Sequence, residues 1–425
     1  MKENRETPSS GAGRTRPRRL LLCLDGVPLE VIEGAKGRGL FAAFGAPSRL
    51  LSPFPTLTNV ALSKMLGATP PLGYESLYFD RTIRELRGGV RKYIGRRTPD
   101  KIPSSYMDEL DYQEPLPFEF LVYVAPETVW RADMQRFRER FRAAPQTRDF
   151  FAFLKGTDGL LHIRGRHRLE AALESLDRIL REIQEWCGDE TEIVLFSDHG
   201  MNLEENHRVH LQTHLRRHGF KVADHLRERR NVAVPAFGLC GYAALYCADE
   251  ANTAAAAEAL VGLKGVDFAI HRDGAASVML RSERGTARIE RYENGGVKYR
   301  YEQLAGDPLQ LAAVARSLED EGQLDERGFA PDNAWYERTS SHIYPDALAN
   351  LYESLHEPRV HHTADVLVSL QDGYYYGASI FSRFVRLAAT HGNALRSSTS
   401  AFLMSTHRNF NPNVRASEAQ PLLKG

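Results

Sequence analysis

The sequence predicts an α/β protein, a mainly parallel central sheet flanked by helices, with an inserted α+β cap subdomain. Three observations predict it. Short apolar runs are each followed at once by an acid or a histidine: "RLLLCLD" to Asp25, "DFFAFLKGTD" to Asp158, "EIVLFSDH" to Asp198 and His199, and "VRLAATH" to His391. Runs of this length bounded by turn residues suit strands buried in a parallel sheet. Helical patterns lie between the runs, and a long stretch after residue 200 has a different, strand-rich character.

The helix after Asp158 is the clearest. Leu169, Leu173, Leu176, Leu180 and Ile183 are spaced by four and three, which draws one apolar stripe along a helix. It returns the chain to the strand at Ile193 and so completes a βαβ unit. From 201 to 335, "GYAALYC", "VDFAI", "ASVMLRS" and "TARIERY" read as strands around a helix at 251–263. "DPLQLAAVARSL" reads as a further helix, with Asp307 as N-cap and Pro308 in the first position. The main sheet is expected to resume at "ADVLVSL", Ala364 to Leu370. The resulting division is a disordered tail at 1–17, a core at 18–200 and 336–410, an insertion at 201–335, and a flexible tail at 411–425.

Composition narrows the function. The chain has 425 residues, of which 42% are hydrophobic and 26% charged, an ordinary globular balance. Lysine plus arginine equals aspartate plus glutamate at 55 each, which argues against general nucleic-acid binding. The four cysteines, Cys23, Cys187, Cys240 and Cys247, form no close pair and are expected as reduced, mostly buried side chains. No run approaches the ~18 apolar residues of a membrane span. The basic, apolar start ends after five residues at Asp25, too short for a signal core, so a cytoplasmic location is expected.

Chemistry concentrates at the ends of the apolar runs. In open α/β sheets, ligands bind beyond the carboxyl ends of the strands, so polar residues placed there converge on one edge. In "SPFPTLTNVALSKMLGATPP", Thr58 stands where a helix N-cap belongs and Gly67 ends the helix. A hydroxyl there serves as a cap, or as a group facing a phosphate held at the helix terminus. Asp158 and His162, four apart in "TDGLLHIRG", can share a borderline metal such as zinc. Asp198 and His199 can both ligate if Gly200 permits a sharp turn. His391 precedes Gly392, whereas His361 and His362 precede a strand and so belong to the other edge.

Taken in order, Asp25, Thr58, Asp158-x-x-x-His162-x-x-Gly165, Asp198-His199-Gly200 and His391-Gly392 resemble the alkaline phosphatase superfamily. The resemblance is nearest to its nucleotide pyrophosphatase/phosphodiesterase and phosphonoacetate hydrolase branch, and covers Arg19 to Glu205 and Ala364 to Met404. It implies an alkaline phosphatase-like fold and hydrolysis of a small phosphoric ester through a phospho-threonine intermediate on Thr58. It also implies two divalent metal ions, zinc or in some members manganese. Asp25, Thr58, Asp198 and His199 would hold one ion, and Asp158, His162 and His391 the other. The branch carries a phosphate-binding asparagine about twenty residues after its threonine. That stretch here reads "GYESLYFDR", and Asn59 or Tyr78 are the candidates to replace it. Thr56 is a rival nucleophile. Alternatives are a phosphonate hydrolase of the same superfamily and a non-catalytic metal-binding member. A sulfatase is disfavoured, because no C/S-x-P-x-R motif stands in the nucleophile segment. Arg84, Arg87, Arg91, Arg96 and Arg97 are candidates for a second anion contact or a solvated surface.

Overall fold

In a computed structural model that describes residues 18–89, 102–114, 125–378 and 386–424, the chain folds around two sheets. The first has seven strands in the order Asn413–Arg415, Ser48–Leu51, Ser400–Ser405, Ile193–Ser197, Leu20–Leu24, Phe150–Leu154 and Tyr112–Gln113. Leu20–Leu24 is central and runs parallel to both Phe150–Leu154 and Ile193–Ser197, pairing Leu24 with Leu154 and with Ser197. The register brings the three strands to an end side by side. Ser400–Ser405 alone runs antiparallel to its neighbours.

Alternation along the central strand builds two cores. Leu20, Leu22 and Leu24 face a core shared with the helices Leu29–Gly37, Pro126–Ala143 and Gly156–Cys187. Leu21 and Cys23 face the opposite core, which the helices Thr58–Leu66 and Ala419–Lys424 cover. Every residue of the strand is buried, as a strand covered by helices on both faces requires. The stripe Leu169, Leu173, Leu176, Leu180 and Ile183 is buried against the sheet.

The second sheet has nine strands, including Tyr242–Cys247, Val266–Arg272, Ser277–Ser282, Gly285–Glu293 and Val297–Gly306. The helix Glu250–Val261 packs on one face, and Asp332–Thr339 and Ala347–His356 pack on the other. Phe54, Leu57 and Val60 of the segment around Thr58 belong to the core of this second sheet. Ala61, Leu62 and Met65, one turn further, belong to the first. The segment therefore lies along the seam between the sheets.

Several expectations require correction. Val366–Leu370 does not resume the first sheet; it pairs antiparallel with Tyr242–Leu245 and with Val266–His271 in the second. A fully apolar run carries no mark of which sheet it enters. Residues 411–424 are not a loose tail. Val414 pairs with Leu50 at the sheet edge, and Ala419 and Leu423 are fully buried. The helix expected at Asp307 begins at Ala312, yet the Asp307 carboxylate still accepts from the amides of Leu311 and Ala312. Among the described residues no strand leads into His391; Leu387 and Thr390 form single bridges to Asn206 and Asn202. The tail at 1–17 and Arg91, Arg96 and Arg97 lie outside the described residues. Arg84 reaches the carbonyl of Ala248, and Arg87 pairs with Asp80 at 3.3 Å. All four cysteines are free.

A buried leucine in a terminal helix tests the corrected C-terminus. Leu423→Ala is expected to destabilise the fold by about 2–5 kcal/mol, measured by urea denaturation. A loose tail would leave the midpoint unchanged.

Candidate metal centre

Two clusters of ligating side chains meet at the carboxyl edge of the first sheet. Asp25, Asp198 and His199 form one, and Asp158, His162 and His391 the other, with the ligating atoms of each within 4.8 Å of one another. Asp25 follows the central strand directly, and Asp198 and His199 follow its neighbour Ile193–Ser197. Asp158 and His162 lie on the first turns of the helix Gly156–Cys187. Residues four apart there share a face, which the sequence alone could not distinguish from a strand-end loop. The backbone leaves the helical conformation at Gly165 (φ 66°), just past Asp158 and His162.

The imidazoles are all oriented the same way. Nδ1–H of His162 donates to the carbonyl of Ala389 at 2.8 Å, that of His199 to Gly200 at 2.9 Å, and that of His391 to Thr56 at 2.8 Å. Each bond fixes the tautomer and leaves an Nε2 lone pair facing the carboxylates. His162 Nε2 lies 3.2 Å from Asp158 Oδ1, and His391 Nε2 lies 3.7 Å from the same oxygen. His199 Nε2 is 3.3 Å from Asp198 Oδ2 and 3.5 Å from Asp25 Oδ1. Asp158 Oδ1 and Asp198 Oδ2 are buried without a hydrogen-bond donor. Lone pairs that face one another in a buried space repel unless a proton or a cation stands between them.

The electrostatics agree. Burial, then the neighbouring Asp198 and Asp158, pushes Asp25 well above the usual carboxylate range. Burial raises Asp198 to about 6. Burial lowers His199 to about 4 and His391, stacked on it at 3.9 Å between centroids, to about 3, which favours the neutral rings that could ligate a metal. Asp158 and His162 shift in the opposite sense. Burial opposes their charged forms, but their mutual attraction outweighs it, holding Asp158 low and His162 high. That pair therefore favours positive charge beside it. The donor set of neutral imidazole nitrogens and carboxylate oxygens fits a borderline divalent cation such as zinc.

Thr58 lies beside the first cluster. It is the first residue of the helix Thr58–Leu66, not its N-cap, which is Leu57. Its hydroxyl donates to Asp25 Oδ1 at 3.3 Å and lies 3.3 Å from His199 Nε2. Thr58 and Asp158 are the half-exposed members of the group and mark its open side. Thr56 is fully buried, and its hydroxyl is engaged with Gly392 and Asn393. Asn59 follows Thr58 on the first helical turn, its Oδ1 accepting from Tyr106 at 2.8 Å. Tyr78 belongs to the hairpin Leu77–Asp80 and Glu85–Gly88, and its ring stacks on His362.

Gly26 went unnoticed in the sequence. Its amide donates to Asp198 Oδ1, its φ is +70°, and a Cβ there would lie 3.1 Å from Asp158 Oδ1 and 3.3 Å from His199 Cε1. An Asp-Gly pair at a strand end was the available signal.

The family model for type I phosphodiesterase / nucleotide pyrophosphatase matches residues 74–376, more than half of the chain. That span holds Asp158, His162, Asp198 and His199, while Asp25, Thr58 and His391 lie outside it. No curated protein matches the sequence. Among solved structures, phosphonoacetate hydrolase from Sinorhizobium meliloti 1021, in complex with phosphonoformate, is 13% identical. The alignment covers 96% of this chain and 95% of that one, with a TM-score of 0.52. Murine ectonucleotide pyrophosphatase / phosphodiesterase 5 is 11% identical over 96% of this chain and 94% of that one, with a TM-score of 0.48. The first of these likenesses identifies the fold as alkaline phosphatase-like.

Gly26→Ala is expected to cost about 1–3 kcal/mol of stability from the left-handed backbone alone. It is also expected to weaken divalent-metal binding, because the new methyl enters the ligand space. Denaturation and metal titration of the same preparation check both effects.

Proposed function

The chain belongs to the type I phosphodiesterase / nucleotide pyrophosphatase family, and from that membership we propose that it hydrolyses a small phosphoric ester with two metal ions, through a phospho-threonine intermediate on Thr58. Membership makes it a phosphoryl-transfer hydrolase. The ion count, the nucleophile and the residue roles are the proposal. The observation that carries it is the pair of three-ligand clusters whose unpartnered lone pairs converge beside a half-exposed hydroxyl.

In this reading Asp25, Asp198 and His199, with Thr58, hold one ion, and Asp158, His162 and His391 hold the other. Metal ions held by these residues would supply positive charge that stabilises developing negative charge on the phosphoryl oxygens and would make the threonine hydroxyl more acidic. Thr58 Oγ1 would bond to phosphorus as the bond to the ester's leaving oxygen breaks, the hydroxyl proton passing to solvent and the leaving oxygen taking a proton from water; Asp25 Oδ1, which accepts from the hydroxyl at 3.3 Å, orients Thr58 for that attack. Water then cleaves the phospho-threonine and restores the hydroxyl. Three carboxylates do not cancel the charge of two divalent ions, so the site stays net positive and draws in an anion. The start of the helix Thr58–Leu66 adds backbone N–H groups on the same side. Asn59, with its amide oxygen tied to Tyr106, is the residue we assign to a non-bridging phosphate oxygen. Tyr78, turned to His362, is the weaker candidate for that role. Zinc fits the nitrogen-rich second cluster, with manganese as the alternative.

The second sheet is read as the cap that walls the substrate pocket, supported by its sharing Phe54 and Leu57 with the nucleophile segment. No helix among the described residues is long and apolar enough to cross a membrane. The apolar run that ends at Asp25 forms the central strand Leu20–Leu24.

Thr58→Ala is expected to reduce hydrolysis of bis-p-nitrophenyl phosphate to background while metal content stays near two ions per chain. Turnover retained in that variant and lost in Thr56→Ala would assign the nucleophile to the wrong threonine. Asp158→Ala is expected to lose one ion and keep the other, as read by elemental analysis after dialysis; equal loss of both would break the division into two sites. A panel of monoesters, diesters and phosphonates with Zn²⁺ and Mn²⁺ checks the substrate class.

A further inference from the structure

Thr56 makes four hydrogen bonds to three consecutive residues of the loop that carries His391. Its amide donates to the carbonyl of Gly392 at 3.3 Å, and its carbonyl accepts from His391 Nδ1 at 2.8 Å. Its hydroxyl accepts from the amide of Gly392 at 2.8 Å and donates to the carbonyl of Asn393 at 3.1 Å. Gly392 can turn both its amide and its carbonyl toward Thr56 because its φ is +116°, where a Cβ would meet the amide of Gly241 at 3.1 Å. The loop is also held from its far end. Asn393 Nδ2 donates to Asp372 Oδ1 at 2.8 Å, and the Ser397 hydroxyl donates to the same carboxylate.

From this geometry we propose that Thr56 is a positioning residue whose hydroxyl aligns His391 for the second ion. It thereby fixes that ion's place relative to Thr58, two residues further along the chain. The inference rests on the two-ion reading above. Without the hydroxyl, the Gly392 amide and Asn393 carbonyl are left buried beside a methyl, and the loop shifts to find other partners. The carbonyl of Thr56 then no longer presents a fixed acceptor to His391 Nδ1. Loss of such an outer partner typically weakens metal binding by about 10–100-fold. The first cluster has no bond to Thr56 among those that orient it, since His199 rests on Gly200 and Asp198 on Gly26.

The test uses the full chain, stripped of metal and titrated with Zn²⁺, and with Co²⁺ for its ligand-field absorption. Thr56→Val is expected to bind one ion as the unsubstituted chain does and the other at least 10-fold more weakly. Its kcat is expected to return to within a few-fold at high free metal. Thr56→Ser, which keeps the hydroxyl, restores the tight second ion, and Asp372→Asn weakens the same ion from the loop's other end. Thr56→Val with two ions bound at unchanged affinity overturns the proposal. So does equal weakening of both ions with a matching fall in stability of the metal-free protein, which marks plain core packing. An unsubstituted chain that binds fewer than two ions overturns the two-ion reading itself, and is told apart because no substitution is involved.

Discussion

The site depends on one electrostatic constraint. Three carboxylates and three imidazoles are packed at a sheet edge with their lone pairs facing inward. Two of the carboxylate oxygens, Asp158 Oδ1 and Asp198 Oδ2, are buried and receive no donor. A fold does not keep such an arrangement for its own stability, because each unsatisfied buried oxygen costs about 1–3 kcal/mol. Positive charge resolves it. The remainder of the architecture delivers these atoms to one place: parallel strands that end together, a helix that puts Asp158 and His162 on one face, and a loop that brings in His391 from far along the chain.

The second sheet is part of this delivery. Leu57, next to Thr58, packs into its core, as do Tyr242 and Leu395 on either side of the His391 loop. The segment around Thr58 is thus anchored in one sheet by Phe54 and Leu57 and in the other by Ala61 and Leu62. A helix start held from both sides has little freedom to move the Thr58 hydroxyl relative to the two clusters, the kind of preorganisation that the proposed displacement would use.

Much of this was legible in the sequence, and the exceptions have physical reasons. Strands ending at Asp25 and Asp198 announced themselves because an apolar run stops abruptly at an acid. The long helix announced itself through its four-and-three spacing. His391 followed an apolar run as well, but the described residues before it, Leu387 and Thr390, make single bridges, and what positions it is tertiary: Thr56, Asn202 and Asn393. Hydrogen bonds between residues more than 180 apart leave no local pattern. "ADVLVSL" reads as a strand correctly and as a member of the wrong sheet, since pairing partners are not encoded in apolarity. The last residues looked polar and terminal, yet Val414, Ala419 and Leu423, spaced along ten residues, were enough to anchor them.

The strand order of the first sheet also constrains how the protein is made. Ser400–Ser405 stands between Ser48–Leu51 and Ile193–Ser197, so one of the earliest strands reaches the rest of its sheet only through one of the last. On the ribosome, Ser48–Leu51 must wait beside an open edge while some 350 further residues emerge. The second sheet, whose strands all lie before residue 371, can assemble in the meantime. The hydrolase therefore reaches its active form as a late, long-range closure, the kind of topology that folds slowly and gains most from a chaperone covering the waiting edge.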